Sequence, residues 1–518
     1  MPFLSLPGSV RMFYEVLSDP LATDNADLVD PATPLLDPSK PTLVTLVPFY
    51  AVQASALPQI DASSPLRKTH NIVAFSPRSH GRTVSEAKPQ HDALVSAADL
   101  AFAFEALQLP PSQIYAPGSI CGRIAIAFAT MFPAQVTAIV VLGASALSAL
   151  TTTEGFEMLD STMFNPLSLE DLHEIMGELA MQLMGRNAKG DQVDDFVNLL
   201  LRRHNPRHCS KSYELCRLSY LGMPLTPEAV AKVKAPVLLL HGENDEYSSP
   251  AHALTWRELL MGSSEVAFHI IPDASHVAFL SEAEPALSHM TSFLSRHTPS
   301  SPLPIHSPDF ALALRTCSEM AQNPKILVRN PRNPESYSAL STEEREKCAV
   351  DLAKMARYEA EWSARPLADG AEGLEPWQDA SAGRIPRQRW RWSRRNDAPS
   401  SSPRASQRYS IASEVAVQII SSETVVQVTS EQAIRPFSLV ESKVLPAVTP
   451  EEDEDALSTA SDDDSDDDSE DFPGRKDSGF VDALTGDEHN MDKKEVEGVV
   501  ESMSRLAFQR HQRSQGSQ

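Results

Sequence analysis

Six short apolar runs recur through the first half of the chain: Leu43–Val47, Ile72–Phe75, Ile114–Ala116, Ala138–Leu142, Pro236–Leu240 and Phe268–Ile271. Each is nearly unbroken in Val, Ile, Leu, Phe and Ala, and each is too short for a buried helix. A strand that alternates apolar and polar residues buries one face; a strand apolar at every position buries both. Between these runs lie longer segments with helical spacing of apolar residues, at Asp92–Leu107, Ile120–Met131, Ala251–Met261 and Glu282–Ser295. Strands covered on both faces and alternating with helices specify the α/β class, a doubly wound and mostly parallel sheet. Phe3–Leu17 reads as an antiparallel edge hairpin that turns at Pro7-Gly8.

One stretch breaks the alternation. Residues 151–234 carry helical patterning and no good strand, and they sit between two strands. This is the position of a helical lid inserted over the carboxyl ends of the sheet, where pockets form. Near residue 298 the composition changes. Pro299, Pro302, Pro304 and Pro308 punctuate a linker, and beyond it two helices are expected at Asp309–Ala321 and Thr342–Trp362. The second opens on Ser341-Thr342-Glu343-Glu344, a capping-box pattern. Trp362, Trp377, Trp390 and Trp392 all lie beyond residue 300, which predicts that part of 305–395 docks on something. The expected division is therefore 1–298 as the α/β domain, 299–395 as a linker with short helices, and 396–518 as a disordered acidic tail rich in Ser, Asp and Glu. Within the tail Val415–Val428 is apolar and β-branched, suited to a weak hairpin, a partner-binding strand or a sticky disordered segment.

Charge and cysteine usage exclude several classes. The chain has 45 basic and 70 acidic residues, a net charge of −25, much of it in the run Glu451–Asp471. That balance argues against a general nucleic-acid binder, which needs a basic face. The Arg- and Trp-rich stretch Arg384–Arg395 is read as a solvated basic linker that pairs with the acidic run. The acidic run itself solubilises, and its serines suit an acid-directed kinase. The five cysteines, Cys121, Cys209, Cys216, Cys317 and Cys348, are odd in number and scattered. They form no disulfide framework and no Cys-x-x-Cys metal site, as expected of reduced thiols in an intracellular protein, cytoplasmic or alternatively nuclear. Cys209 and Cys216 are expected to pack helix faces. No secretory signal and no membrane-spanning apolar run is evident. No cofactor or metal is expected; the expected partners are a small-molecule substrate and proteins bound by the C-terminal tail.

The segment Tyr115-Ala-Pro-Gly-Ser119-Ile-Cys-Gly-Arg runs from a strand through a turn into a helix of small residues. A serine at such a turn stands above the sheet edge, over a helix N-terminus that favours negative charge. Two later strands also end on polar loops. Pro236–Leu240 leads to His241-Gly-Glu-Asn-Asp245, and Phe268–Ile271 leads to Pro272-Asp-Ala-Ser-His276. A serine hydroxyl is a weak nucleophile until a histidine takes its proton, and a buried acid fixes that histidine's tautomer.

In this arrangement, and in the chain order serine, acid, histidine, residues 3–298 resemble the α/β-hydrolase superfamily. The resemblance implies a catalytic triad of Ser119, Asp245 and His276, with an oxyanion hole made by the backbone amides of Ile120 and Phe49. It implies a hydrolase that cleaves an ester, thioester or lactone of a small apolar substrate through an acyl-enzyme. The sequence departs from the family pattern in places. Pro117 and Cys121 stand where the nucleophile turn usually has glycine, Val47-Pro48-Phe49 replaces the usual His-Gly-aromatic, and Ser76 replaces an Asp before the His80-Gly81 turn, where His80 is read as structural. Each triad residue also has a plainer role, Ser119 and Asp245 as helix caps and His276 as a satisfied loop histidine. The alternative of a different class is a catalytically weakened hydrolase-like binding module whose tail recruits partners.

Overall fold

Why the apolar runs are apolar on both faces is visible in the sheet they form. The computed structural model describes residues 3–17, 36–49, 51, 57–145, 159–166, 168–185, 188, 190–220, 225–245 and 247–364. The strands are β1 (Phe3–Leu6), β2 (Val10–Val16), β3 (Thr42–Leu46), β4 (Asn71–Phe75), β5 (Ser112–Pro117), β6 (Val136–Leu142), β7 (Val237–Gly242) and β8 (Val266–Ile271). They lie side by side in the order β1-β2-β4-β3-β5-β6-β7-β8. From β4 to β8 every pairing is parallel, while β1–β2 and β2–β4 are antiparallel. This is the doubly wound α/β-hydrolase sheet that the sequence predicts, edge hairpin included. Leu6 pairs with Val10 across a turn in which Gly8 and Ser9 both have positive φ.

Helices α1 (Ala93–Ala106) and α2 (Ser119–Met131) cover one face. Val44, Leu46, Ile114 and Val141 point into that layer, while Leu43, Tyr115, Val140 and Leu238 point into the other. The second layer contains the lid, which comprises α3 (Leu169–Met184), α4 (Gly190–Arg203) and α5 (Cys209–Tyr220). Among the described residues it contains helices and no strand. After β7 come α6 (Pro250–Leu259) and, after β8, α7 (Ala283–Arg296).

Both helices expected beyond residue 298 are present, as α8 (Phe310–Met320) and α9 (Thr342–Ala364). The capping box forms, with Ser341 Oγ accepting from the Glu344 amide at 3.1 Å and Glu344 Oε2 accepting from the Ser341 amide at 2.7 Å. Helix α8 joins the α1–α2 layer: Phe310 stacks on Phe102 at 4.4 Å and meets Phe132 edge-on. Helix α9 crosses the lid instead. Tyr213 donates to Asp351 at 2.7 Å, the Ser210 amide to Glu359 at 2.8 Å, Tyr358 to Asp160 at 2.8 Å and Trp362 Nε1 to Asn165 at 3.1 Å. Cys209 and Cys216 do pack as expected, against Met355 and Met163. All five cysteines are unpaired and buried. The chain divides into two units, 1–428 and 429–518. The second lies wholly outside the described residues, as do Arg384–Arg395, Val415–Val428 and the acidic run. No described helix is long and apolar enough to cross a membrane.

The lid carries one electrostatic liability. Burial of Glu178 in α3, with Glu174 one turn earlier, pushes its carboxyl up to about 7. A carboxyl raised in the fold above its unfolded value contributes stability below the unfolded pKa and loses it as pH rises through the folded one. Glu178→Gln should therefore gain on wild type as pH climbs from 5 to 8. Thermal melts at both ends test this; an equal Tm difference at the two pH values would show that the carboxyl is solvated.

Candidate active site

The three residues singled out by sequence all lie at the carboxyl ends of parallel strands. Asp245 follows β7 and is buried. Its Oδ1 accepts from the amides of Tyr247 at 3.0 Å and Ser248 at 2.7 Å, so the loop's own backbone orients the carboxylate. Its Oδ2 lies 2.8 Å from His276 Nδ1 and 3.2 Å from His241 Nε2. Burial alone would raise the Asp245 pKa; the charge of His276 and hydrogen bonds from both imidazoles outweigh it and hold the carboxyl well below its usual range. The acid thus stays ionised beside the imidazole. His241 was not singled out from the sequence, where it falls one residue past the run Pro236–Leu240; β7 extends to take it in. Its Nε2 also faces the Ser248 carbonyl at 2.7 Å, which ties the acid loop to the strand it leaves.

The histidine loop reaches Asp245 only because residue 242 is glycine. A Cβ there would stand 2.3 Å from the Ser275 carbonyl oxygen and 2.5 Å from that of Ala274. Backbone at that distance cannot yield, so the loop bearing His276 crosses β7 directly over a missing side chain. On the other flank the His276 ring lies against Gly143, at the end of β6, and Tyr247 covers it with ring centroids 4.5 Å apart.

Ser119 opens α2 at the end of β5. The turn is anchored by the Gly118 amide, which donates to Leu142 at 2.7 Å, next to the glycine that touches His276. Serine and histidine are therefore brought to the same carboxyl edge of the sheet. They are not hydrogen-bonded to each other: among the described residues the Ser119 hydroxyl makes no hydrogen bond, and His276 is joined to Asp245 alone. The structure also shows which residue bends the turn. The positive φ falls on Gly118 (84°), a conformation glycine adopts at no steric cost, and not on Ser119. Gly118 thereby takes up the turn that Pro117 and Cys121 crowd from either side.

The Ile120 amide lies in the first turn of α2, where backbone donors have no helical acceptor. Phe49 follows β3 in a turn closed by the Ala51 amide on Pro48. Cys121 is buried, and burial pushes its thiol up, away from the thiolate a nucleophile needs. Beside Phe49 and Tyr247 the lid closes a small cavity of about 10 Å³, close to the room one water needs. Phe49, Leu179, Leu183, His204, Tyr220 and Tyr247 are among its walls. No cluster of metal-ligating side chains occurs among the described residues.

No family model matches the chain. It is similar to the pimeloyl-acyl-carrier-protein methyl ester esterase of Nitrosospira multiformis, with 27% identity over 190 residues, 36% of this chain and 69% of that one. Among solved structures it is similar to the enol-lactonase from Burkholderia xenovorans LB400, at 16% identity and TM-score 0.43 over 57% of this chain and 100% of that one. It is likewise similar to a thermophilic esterase from Thermogutta terrifontis, at 15% identity and TM-score 0.43 over 57% and 99%.

Proposed function

The chain belongs to the α/β-hydrolase superfamily, and on that premise we propose that it is a serine hydrolase acting on an ester, thioester or lactone of a small, largely apolar molecule. The observation that carries this reading is the 2.8 Å contact between His276 Nδ1 and the buried carboxylate of Asp245, at the carboxyl edge of the sheet that also bears Ser119. With Nδ1–H donated to the acid, Nε2 is left as the base. It takes the Ser119 proton as Oγ bonds to the carbonyl carbon. The resulting oxyanion is received by the amides of Ile120 and Phe49, and the leaving oxygen or sulfur departs with the proton. Water, deprotonated by the same imidazole, then releases the acid and restores Ser119. The steps use side chains, backbone amides and water. The likeness to a methyl ester esterase supports an ester as the scissile group.

A second reading is favoured by a specific observation: the turn rests on Gly118 and Ser119 has no bond to His276. On this reading the domain is a weakened hydrolase used as a binding module, with partners taken by the tail. A fluorophosphonate probe separates the two. It should label wild type at Ser119 and leave Ser119→Ala unmarked. A wild type that resists the probe and turns over no ester, thioester or lactone sinks the hydrolase reading. We further propose an intracellular setting, in keeping with five unpaired buried thiols.

A further inference from the structure

The lid sets a cation next to His204, a residue that lines the cavity. Arg203 ends α4, and its Nε and Nη2 are buried without a hydrogen-bond partner. His204, the next residue, is 2% exposed and lines the cavity beside Phe49, with ring centroids 6.2 Å apart. Both of its ring nitrogens lack a partner. His80, beneath them, uses Nδ1 on the Arg78 carbonyl at 2.6 Å and leaves Nε2 without one. The guanidinium charge is felt by both imidazoles, and together with burial, the larger cause, it pushes each down to about 3. The two rings are therefore neutral, able to donate or accept. Glu214, the acid that acts on His80, is already engaged by His91, Ser79 and the Lys88 amide. Lys211, the other cation here, faces Glu214 and Glu359 as well as Arg203.

Buried nitrogens are nearly always satisfied, and a buried charge without a counter-charge is costly. A planar forked donor without a partner, beside neutral imidazoles, matches a carboxylate held bidentately by the fork. We propose that Arg203 and His204 are specificity-determining residues that receive a carboxylate on the substrate, so that the preferred ester carries a second, free carboxylate on its acyl chain. The inference rests on the hydrolase reading for its substrate, though not for its binding site.

The test compares two aryl esters of equal chain length, 4-nitrophenyl hexanoate and the mono-4-nitrophenyl ester of adipate. Wild type should show at least about a tenfold higher kcat/KM on the adipate half-ester, a ratio expected of a charge-assisted bidentate contact. Arg203→Met should abolish that preference through KM. Binding is read separately, as the thermal shift of Ser119→Ala caused by monomethyl adipate against methyl hexanoate. A carboxylate-dependent shift that Arg203→Met removes would uphold the anion site even if no ester were ever hydrolysed. Equal kcat/KM on the two esters, or a shift that survives Arg203→Met, overturns the proposal. Removing an unpaired buried charge should raise the Tm of the free protein. A lowered Tm in Arg203→Met would mean the guanidinium is already paired within the fold, and that too overturns it.

Discussion

Ser119→Ala should lower kcat on a short-chain aryl ester by about 10³-fold or more, since a serine triad works as a unit. The fold should not suffer: the hydroxyl makes no hydrogen bond among the described residues, and alanine fits a helix N-terminal position. Asp245→Asn should cost about 10⁴-fold, the loss seen when an amide leaves the base in the wrong tautomer. It should also lower Tm, because the acid takes four contacts that the asparagine amide cannot all reproduce. Turnover of 4-nitrophenyl butyrate with circular dichroism as the control reads both effects. If wild type and Ser119→Ala share one rate above the uncatalysed reaction, Ser119 is not the nucleophile.

Ending the chain at Thr298 should collapse its stability, whereas ending it just beyond Ala364 should not. Helices α8 and α9, with the turns between them, supply Phe310, Leu314, Met320, Tyr337, Met355 and Trp362 to the buried interior. Each large apolar side chain contributes roughly 1.5–3 kcal/mol on burial, so together they rival a typical net stability of about 5–15 kcal/mol. The cut would also orphan a buried charge. Asp92 caps α1 through Oδ1, while its Oδ2 accepts from the Ala339 amide at 2.9 Å. Arg332, which pairs with Glu105 and lies over the rings of Phe102 and Phe310, would go as well. Thermal denaturation of the two truncations decides the matter; a Thr298 form that melts with wild type would show these contacts to be dispensable.

What the sequence made legible was whatever a single period encodes. Leu43–Val47 and Ala138–Leu142 declare strands because helices cover both faces, and the loops after β7 and β8 reveal an acid and a histidine because polar residues there interrupt nothing. Ser341 and Glu344 announced a helix start through local hydrogen bonds alone. The rest depended on contacts distant in sequence. Nothing in the Tyr115–Arg123 segment tells which residue bears the positive φ, since Gly118 stands outside the usual frame and competes with Ser119 for the turn. His241 stands one residue past an apolar run and shows no role until Asp245 is seen beside it. Arg203 and His204 look like the basic end of a helix, where such residues belong for reasons of helix dipole alone; their lack of partners appears only when the lid is folded over β3.

The helix laid across the lid ties two distant places into one equilibrium. Helix α9 holds Asp160, Asn165, Ser210 and Tyr213 from outside, while Met163, Cys216 and Tyr220 of the same lid elements face the cavity from inside. The chain then runs on from its last turn to Gln518. A ligand that enters more easily with the lid lifted must do work against those four hydrogen bonds. By reciprocity, anything that draws α9 away changes the affinity of the pocket by the same factor that a pocket ligand changes the docking of α9. Helix α9 and the cleft thus share a single free energy of coupling, written in the side chains of one helix.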